Sequence, residues 1–410
     1  MQTNNFFISL KCLFILATMS FFLYLFLPYI GEEAVYTISS YEMWYHHHYL
    51  FPTTYGLTYW RPPLFNWVII FFSNSLGWQH MLVASRLVTA LATISTSFML
   101  MWLANRLFKK PHFSLFAALV YLTSDALFYH GWLAYSDPLF AFFVVSAISF
   151  LWIANLEQRY AFVWLSVIAL IAAFMTKALT AYIFYVISFF FIIIFDRKVK
   201  SFLLKPVNLL VYLFSILFYF LWNIVSQKIT EAGMWADIFS KFHTIYWGAY
   251  IQQLIVFPLE VCSRFLPVSG LAIYYFVKRK YEKFKFGWDL ILTLSGIVLF
   301  NFIPYWLAPH TSIRYLLPLY PFIALLLATV LWNLPKSKLK IIIIWVTLTI
   351  LVKYVELAVI YYYQIYYRGD YTQIAKQVIM QTKGFPIYSN DFVATGLSVT
   401  AEIDRLIFPS

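Results

Sequence analysis

An all-α polytopic membrane protein, built as a helical bundle with a cap on its outer side, is the fold class this sequence predicts. Three observations carry that reading. The 410 residues are 62% hydrophobic and 22% aromatic with 11% charged, against about a quarter charged in a soluble domain. Apolar runs of about 20 residues, the length that crosses a bilayer, recur along the whole chain. Every second connection between those runs is rich in Lys and Arg, the mark of cytoplasmic loops. A net charge of +12 would suggest nucleic acid in a soluble protein, but these cations sit in short interhelical loops, so no nucleic-acid partner is implied.

The apolar runs give about eleven spans: Asn5–Tyr29, His80–Asn105, His112–Phe128, Pro138–Asn155, Tyr160–Thr176, Leu179–Phe195, Pro206–Ser226, Val256–Phe276, Gly287–Trp306, Tyr315–Leu334 and Leu339–Tyr361. The first is longer than a signal-peptide core and has no small-x-small cleavage site after it, so it reads as a retained helix. Basic loops hold Arg106 with Lys109 and Lys110, then Arg159, then Arg197, Lys198, Lys200 and Lys205. Further basic loops run from Lys278 to Lys285 and from Lys336 to Lys340. With these inside, the N-terminus is cytoplasmic and the C-terminal tail is outside. Residues 1–362 then form the membrane domain, with an outer loop over 30–79, and 363–410 form a short extracytoplasmic segment. Within the loop, Glu32–Tyr45 reads as an amphipathic stretch, and in the tail the run from Phe385 reads as strand-like. Cys12 and Cys262 lie far apart, with neither a disulfide framework nor a metal spacing.

Several residues on the outer side suit chemistry. Glu32 and Glu33 follow Gly31 directly after the first span. Adjacent carboxylates near lipid suit a general base, although an acidic helix start alone would account for them. Asp137, before Pro138, opens the fourth span, where it is either a helix-start signal or a second acidic group sharing the site of Glu32. Asp125 is a weaker companion. Arg61, Lys177 and Arg314 each stand alone at the outer boundary among apolar neighbours. They either snorkel to headgroups or converge on a lipid phosphate. The triplet His46–His48 is a poor metal site, because consecutive helical side chains point about 100° apart. Lys353 and Glu356, three apart in the last span, are expected to pair.

The order of these residues resembles a known family. Glu32-Glu33-Ala34-Val35-Tyr36, then Glu42-Met43, then Tyr59-Trp60-Arg61-Pro62-Pro63-Leu64 is similar to the first outer loop of the GT-C membrane glycosyltransferases. The likeness is to the branch of the lipid A aminoarabinose transferases and the family 39 protein mannosyltransferases. Ser85-Arg86-Leu87, Ser136-Asp137-Pro138-Leu139, Thr176-Lys177 and Arg314-Tyr315-Leu316-Leu317-Pro318 continue it in order. The resemblance implies a GT-C-type bundle and an inverting transfer of sugar from a polyprenyl-phosphate donor. The acceptor would be extracytoplasmic: lipid A, another envelope glycan or a protein. It implies Glu32, with Glu33 beside it, and Asp137 as catalytic carboxylates, Arg61 and Arg314 as donor-phosphate ligands, and Lys177 as a recurrent companion. The implied setting is the inner or plasma membrane with the active site extracytoplasmic. Glu for the usual Asp at position 32, Arg for Lys at 61, Val at 35 for a common Arg and Trp60 for a frequent acidic residue are departures; the last argues against a metal, and no cofactor is implied. A transporter or flippase without chemistry is the alternative from another class. It would use the same charges as a path, but neither repeated halves nor a need for the long first loop is visible in the sequence.

Overall fold

A computed structural model describes residues 2–58, 61–177, 179–195, 200–226, 247–278, 286–309, 311–383, 385, 387 and 393–407. Tyr59 and Trp60, residues 227–246 and most of the strand-like run after Phe385 lie outside the described residues. Within them the chain is helical throughout, apart from one two-stranded hairpin of β1 (Thr53–Thr54) and β2 (Leu57–Thr58) in the first loop.

The chain enters through α1 (Gln2–Met19), which tightens into a 3₁₀ turn over Ser20–Tyr24. The first long loop then forms α2 (Glu33–Tyr45), the hairpin and α3 (Leu64–Leu76). The Glu32–Tyr45 stretch is therefore a helix, as its pattern suggests. α3 is an apolar helix that the sequence reading left inside a loop, since its 13 residues fall short of the span length. α4 (Met81–Phe108) runs 28 residues, about 42 Å at the α-helical rise, and so reaches across a bilayer. Next come α5 (Pro111–Leu122), a short α6 (Asp125–His130), α7 (Ser136–Glu157), α8 (Tyr160–Thr176) and α9 (Thr180–Phe195).

Small buried residues let α4 and α7 approach closely. Ala84, Ser85, Thr89, Ala92, Thr93 and Thr96 line one, and Ala141, Ala147, Ser149 and Ala154 the other. Close backbone packing of this kind is what holds helices together in lipid, where the hydrophobic effect between them is absent. Polar links add to it: the Ser166 hydroxyl of α8 donates to the Ala147 carbonyl of α7 at 2.7 Å and lies 2.8 Å from the Tyr185 hydroxyl of α9.

The later half is α10 (Lys200–Leu203), α11 (Pro206–Val225), α12 (Trp247–Ser263), α13 (Val268–Val277), α14 (Trp288–Leu307), a 3₁₀ segment Ile313–Leu319 leading into α15 (Tyr320–Trp332), and the long α16 (Lys336–Tyr366). α12 and α13 meet at a 99° bend, where a single straight span is expected over Val256–Phe276. Among the described residues six helices are long and apolar enough to cross a membrane, or seven if that bent pair is one span. α11 and α16 carry Leu210, Leu217, Ile224, Leu351 and Val355 on open faces, the surface that lipid must cover. The chain is thus a multi-pass membrane protein.

Lys353 and Glu356 do not form the expected ion pair. The Lys353 ammonium lies 3.0 Å from the centre of the Phe21 ring instead, and neither Lys353 Nζ nor Glu356 Oε2 has a hydrogen-bond partner.

After α16, α17 (Tyr371–Gln381) and α18 (Ala394–Ile407) fold back onto α2. Asp370 caps α17 by accepting from the amides of Thr372 and Gln373, which satisfies donors that the first turn leaves open. Tyr29, Ile38, Met81, Tyr371, Leu397 and Ala401 close a small apolar core of this cap.

Candidate active site

The site begins with a turn. Gly31 has φ +61°, a left-handed conformation that glycine alone adopts freely. A Cβ there would clash with the Tyr135 hydroxyl oxygen. Gly31→Ala is therefore expected to destabilise the fold by more than about 1 kcal/mol. The double variant Gly31→Ala/Tyr135→Phe should recover only the part due to the clash, as thermal unfolding in detergent would show.

That turn aims two adjacent carboxylates in opposite directions. Glu33 is buried, and each of its oxygens takes two donors. Oε1 accepts from Arg86 Nε at 2.8 Å and from the Ala134 amide at 2.9 Å. Oε2 accepts from Arg86 Nη2 at 2.6 Å and from the Ile30 amide at 2.8 Å. Arg86, fully buried on α4, also donates to the carbonyls of Tyr24, Leu25, Leu27 and Pro28, and its guanidinium lies 5.2 Å from the Trp132 ring centre. The carbonyls freed where α1 ends are thereby satisfied, which a helix end buried in apolar surroundings requires. Sequence reading missed this joint, although a lone Arg inside the predicted span His80–Asn105 was its signal.

Glu32 points the other way. Its side chain is 56% exposed, and its Oε2 accepts from Arg314 Nη1 at 3.1 Å. Its amide donates to the Tyr135 hydroxyl at 3.0 Å. The Arg314 guanidinium is set between two rings, 5.5 Å from the centre of Tyr135 and 5.6 Å from that of Tyr315.

Asp137, in the first turn of α7, is buried against Lys177, which it holds by an ion pair and hydrogen bond. The Lys177 ammonium lies 4.4 Å from the Tyr315 ring centre, so one tyrosine faces both Lys177 and Arg314. Lys177 follows the last residue of α8. Burial pulls its ammonium down to about 8, with Asp137 working the other way and Arg61 and Arg314 adding to the fall.

Arg61 completes the group. Its Nη1 donates to the hydroxyls of Tyr36 and Ser136, each at 3.4 Å, and those two hydroxyls are 3.4 Å apart. Asp137 feels the charges of Lys177, Arg61 and Arg314 together. The structure therefore brings Glu32, Asp137, Arg61, Lys177 and Arg314 to one place, at the ends of α2, α7, α8 and the 3₁₀ segment before α15. Tyr36, Tyr135, Ser136 and Tyr315 join them, three of them within the quoted motifs but none with a role expected; in a chain with 32 tyrosines an aromatic residue carries no contrast in sequence. His130, also unannounced, lies with its ring centre 6.4 Å from that of Tyr135. Burial pushes its imidazole down to about 4, so it is neutral.

Asp125 belongs elsewhere: its carboxylate takes Arg264 Nη1 at 2.7 Å and its amide donates to the Arg264 carbonyl. The rings of His46 and His48 lie 6.5 Å apart on the exposed end of α2. No group of three or more metal-ligating side chains is assembled among the described residues.

The loop carrying Arg61 is tied down from two sides. Glu42 of α2 accepts from the Thr53 hydroxyl at 2.6 Å and the Tyr55 amide at 2.5 Å. The Tyr55 hydroxyl donates to Asp404 of α18 at 2.8 Å. Burial pushes the Asp404 carboxyl up to about 6, Glu42 adding to it. A carboxyl whose folded value is raised stabilises the native state below its unfolded value near 3.9 and loses that contribution as pH rises through about 6. Hydrogen-exchange protection of α18 is expected to weaken from pH 5 to pH 7, and this trend should vanish in Asp404→Asn.

This architecture, a multi-pass helical bundle with a first-loop helix over a cluster of acids and cations, is a GT-C-type fold. The solved structure of ArnT from Cupriavidus metallidurans bound to undecaprenyl phosphate superposes with a TM-score of 0.66 at 14% identity, over 97% of this chain and 69% of that one. Its apo form gives 0.60 at 15% identity over the same shares. The apo oligosaccharyltransferase of Archaeoglobus fulgidus gives 0.57 at 11% identity, over 96% of this chain and 63% of that one. In sequence, 145 residues, 33% of this chain, are 30% identical to the undecaprenyl phosphate-alpha-4-amino-4-deoxy-L-arabinose arabinosyl transferase of Edwardsiella ictaluri (strain 93-146). That stretch covers 25% of the relative. No family profile matches the chain.

Proposed function

We propose that this protein is an inverting membrane glycosyltransferase that moves a sugar from a polyprenyl-phosphate donor to an extracytoplasmic acceptor: lipid A, another envelope glycan or a protein. One observation carries the proposal: two carboxylate–cation pairs, Glu32–Arg314 and Asp137–Lys177, converge with Arg61 at one end of the bundle. The names of the similar proteins, which specify undecaprenyl phosphate and an arabinosyl transfer, support the donor class.

In the proposed reaction the acceptor oxygen attacks the anomeric carbon in line, and the bond from that carbon to the phosphate oxygen breaks. Glu32 takes the acceptor proton. Its exposure suits it to that task, and the arriving donor phosphate would draw Arg314 away and leave the carboxylate basic. The transition state has oxocarbenium character, and the leaving phosphate gains charge where Arg61, Lys177 and Arg314 stand. Asp137 holds Lys177 in place. Glu33, the other carboxylate considered as base, is given a positioning role, since both of its oxygens are already saturated.

Purified protein in detergent, offered a labelled polyprenyl-phosphate sugar, should release polyprenyl phosphate and transfer or hydrolyse the sugar. A transporter would leave the donor intact, and an intact donor with every envelope acceptor tried would sink the proposal. Because the free protein must carry a charged Lys177 to meet the phosphate, kcat/KM is expected to fall as pH rises through about 8. The decline should move in Lys177→Arg.

A further inference from the structure

We infer that the membrane face opposite the candidate site carries a built site for an anionic phospholipid of the bilayer, separate from the donor lipid. A cavity of about 600 Å³ opens between α1, α4 and α5, within the size range of ligand sites. Its wall is apolar, formed by Phe14, Phe98, Met101, Trp102 and Leu115. Phe14 and Phe98 meet edge to face at 5.3 Å. Lys11, Asn105 and Ser114 also line it. Asn105 lies 19 residues beyond Arg86 on α4, about 28 Å along the helix. The cavity is therefore close to a bilayer's thickness away from the Glu33–Arg86 joint.

Its occupant follows from its surroundings. Two of its lining side chains, Ile15 at 55% and Phe98 at 48% exposure, belong to the surface that lipid covers, so an acyl chain enters laterally where a water-soluble ligand would not. Lys11 is the cavity's charged lining residue, and past Asn105 the chain runs through Arg106, still in α4, to Lys109 and Lys110 beyond its end. Arg106 is paired with Glu157, and the Lys110 ammonium faces the Phe286 ring at 4.8 Å, so the excess positive charge at this end of the bundle rests on the lysines. A phosphodiester would sit against the Lys11 ammonium and the Asn105 amide, with its chain along Phe14, Phe98 and Leu115. The proposal does not depend on sugar transfer.

Native mass spectrometry of the protein from vesicles of phosphatidylglycerol and phosphatidylcholine with matched chains tests this. A phosphatidylglycerol molecule should be retained in preference, and Lys11→Ala should lower that preference about fivefold, the worth of one surface cation. Met101→Trp, which fills the cavity, should abolish retention of both lipids. Phosphatidylglycerol should also raise the unfolding temperature of the wild-type protein above its value in phosphatidylcholine, a comparison that needs no variant. Equal retention of the two lipids by wild type, unchanged retention in Lys11→Ala, or no difference in unfolding temperature would overturn the inference.

Discussion

Replacing Glu32 with Gln is expected to lower the rate of sugar transfer by about 10²–10⁴-fold, the usual worth of a positioned general base. The fall should appear in kcat, with the KM for the donor little changed, because the amide keeps the shape of the side chain and loses only its ability to take a proton. The protein should still fold. The Glu32 side chain is 56% exposed, and an exposed pair such as Glu32–Arg314 contributes at most about 1 kcal/mol. Asp137→Asn makes a useful contrast. It leaves the buried Lys177 ammonium without its carboxylate, so both stability and donor affinity should suffer. Full activity in Glu32→Gln would remove the proposed base and leave the cluster as a binding site only.

The largest stability effect is expected at the joint behind the site. Removing either partner of the Glu33–Arg86 pair leaves a charge buried with no counter-ion, which costs about 3–5 kcal/mol. Arg86→Met should cost more than Glu33→Gln, because it also strips the donors from four carbonyls at the end of the first helix. The double variant Glu33→Gln/Arg86→Met should be more stable than the sum of the two changes implies, by at least about 1 kcal/mol. Thermal unfolding in detergent reads all three. Strict additivity would mean that the two groups do not stabilise one another, whatever their geometry.

Much of this molecule is legible in its sequence because the bilayer imposes one simple length rule on every span. The apolar runs that become α4, α7 and α14 announce themselves, as does the helix that begins after Glu32. The bend between α12 and α13 does not, since Val256–Phe276 is continuously apolar and hydropathy reports depth but not direction. α3 stays hidden because it is short and follows Pro62-Pro63. For the candidate site, the lone acids and cations stand out in a chain with 11% charged residues. Their partners do not: Glu33 and Arg86 are 53 residues apart, and Glu32 and Arg314 are 282 apart. Which carboxylate is spent on structure and which remains open is decided by a single left-handed turn at Gly31, and no local pattern states that division of labour.

The bond from Tyr55 to Asp404 spans 349 residues of chain. During synthesis the hairpin emerges early, yet its anchor is made only after nearly all of the membrane helices have been threaded into the bilayer. A nascent chain stalled at any earlier point would hold the loop of Arg61 by Glu42 alone. Synthesis through Asp404 is thus built into the assembly of this enclosure.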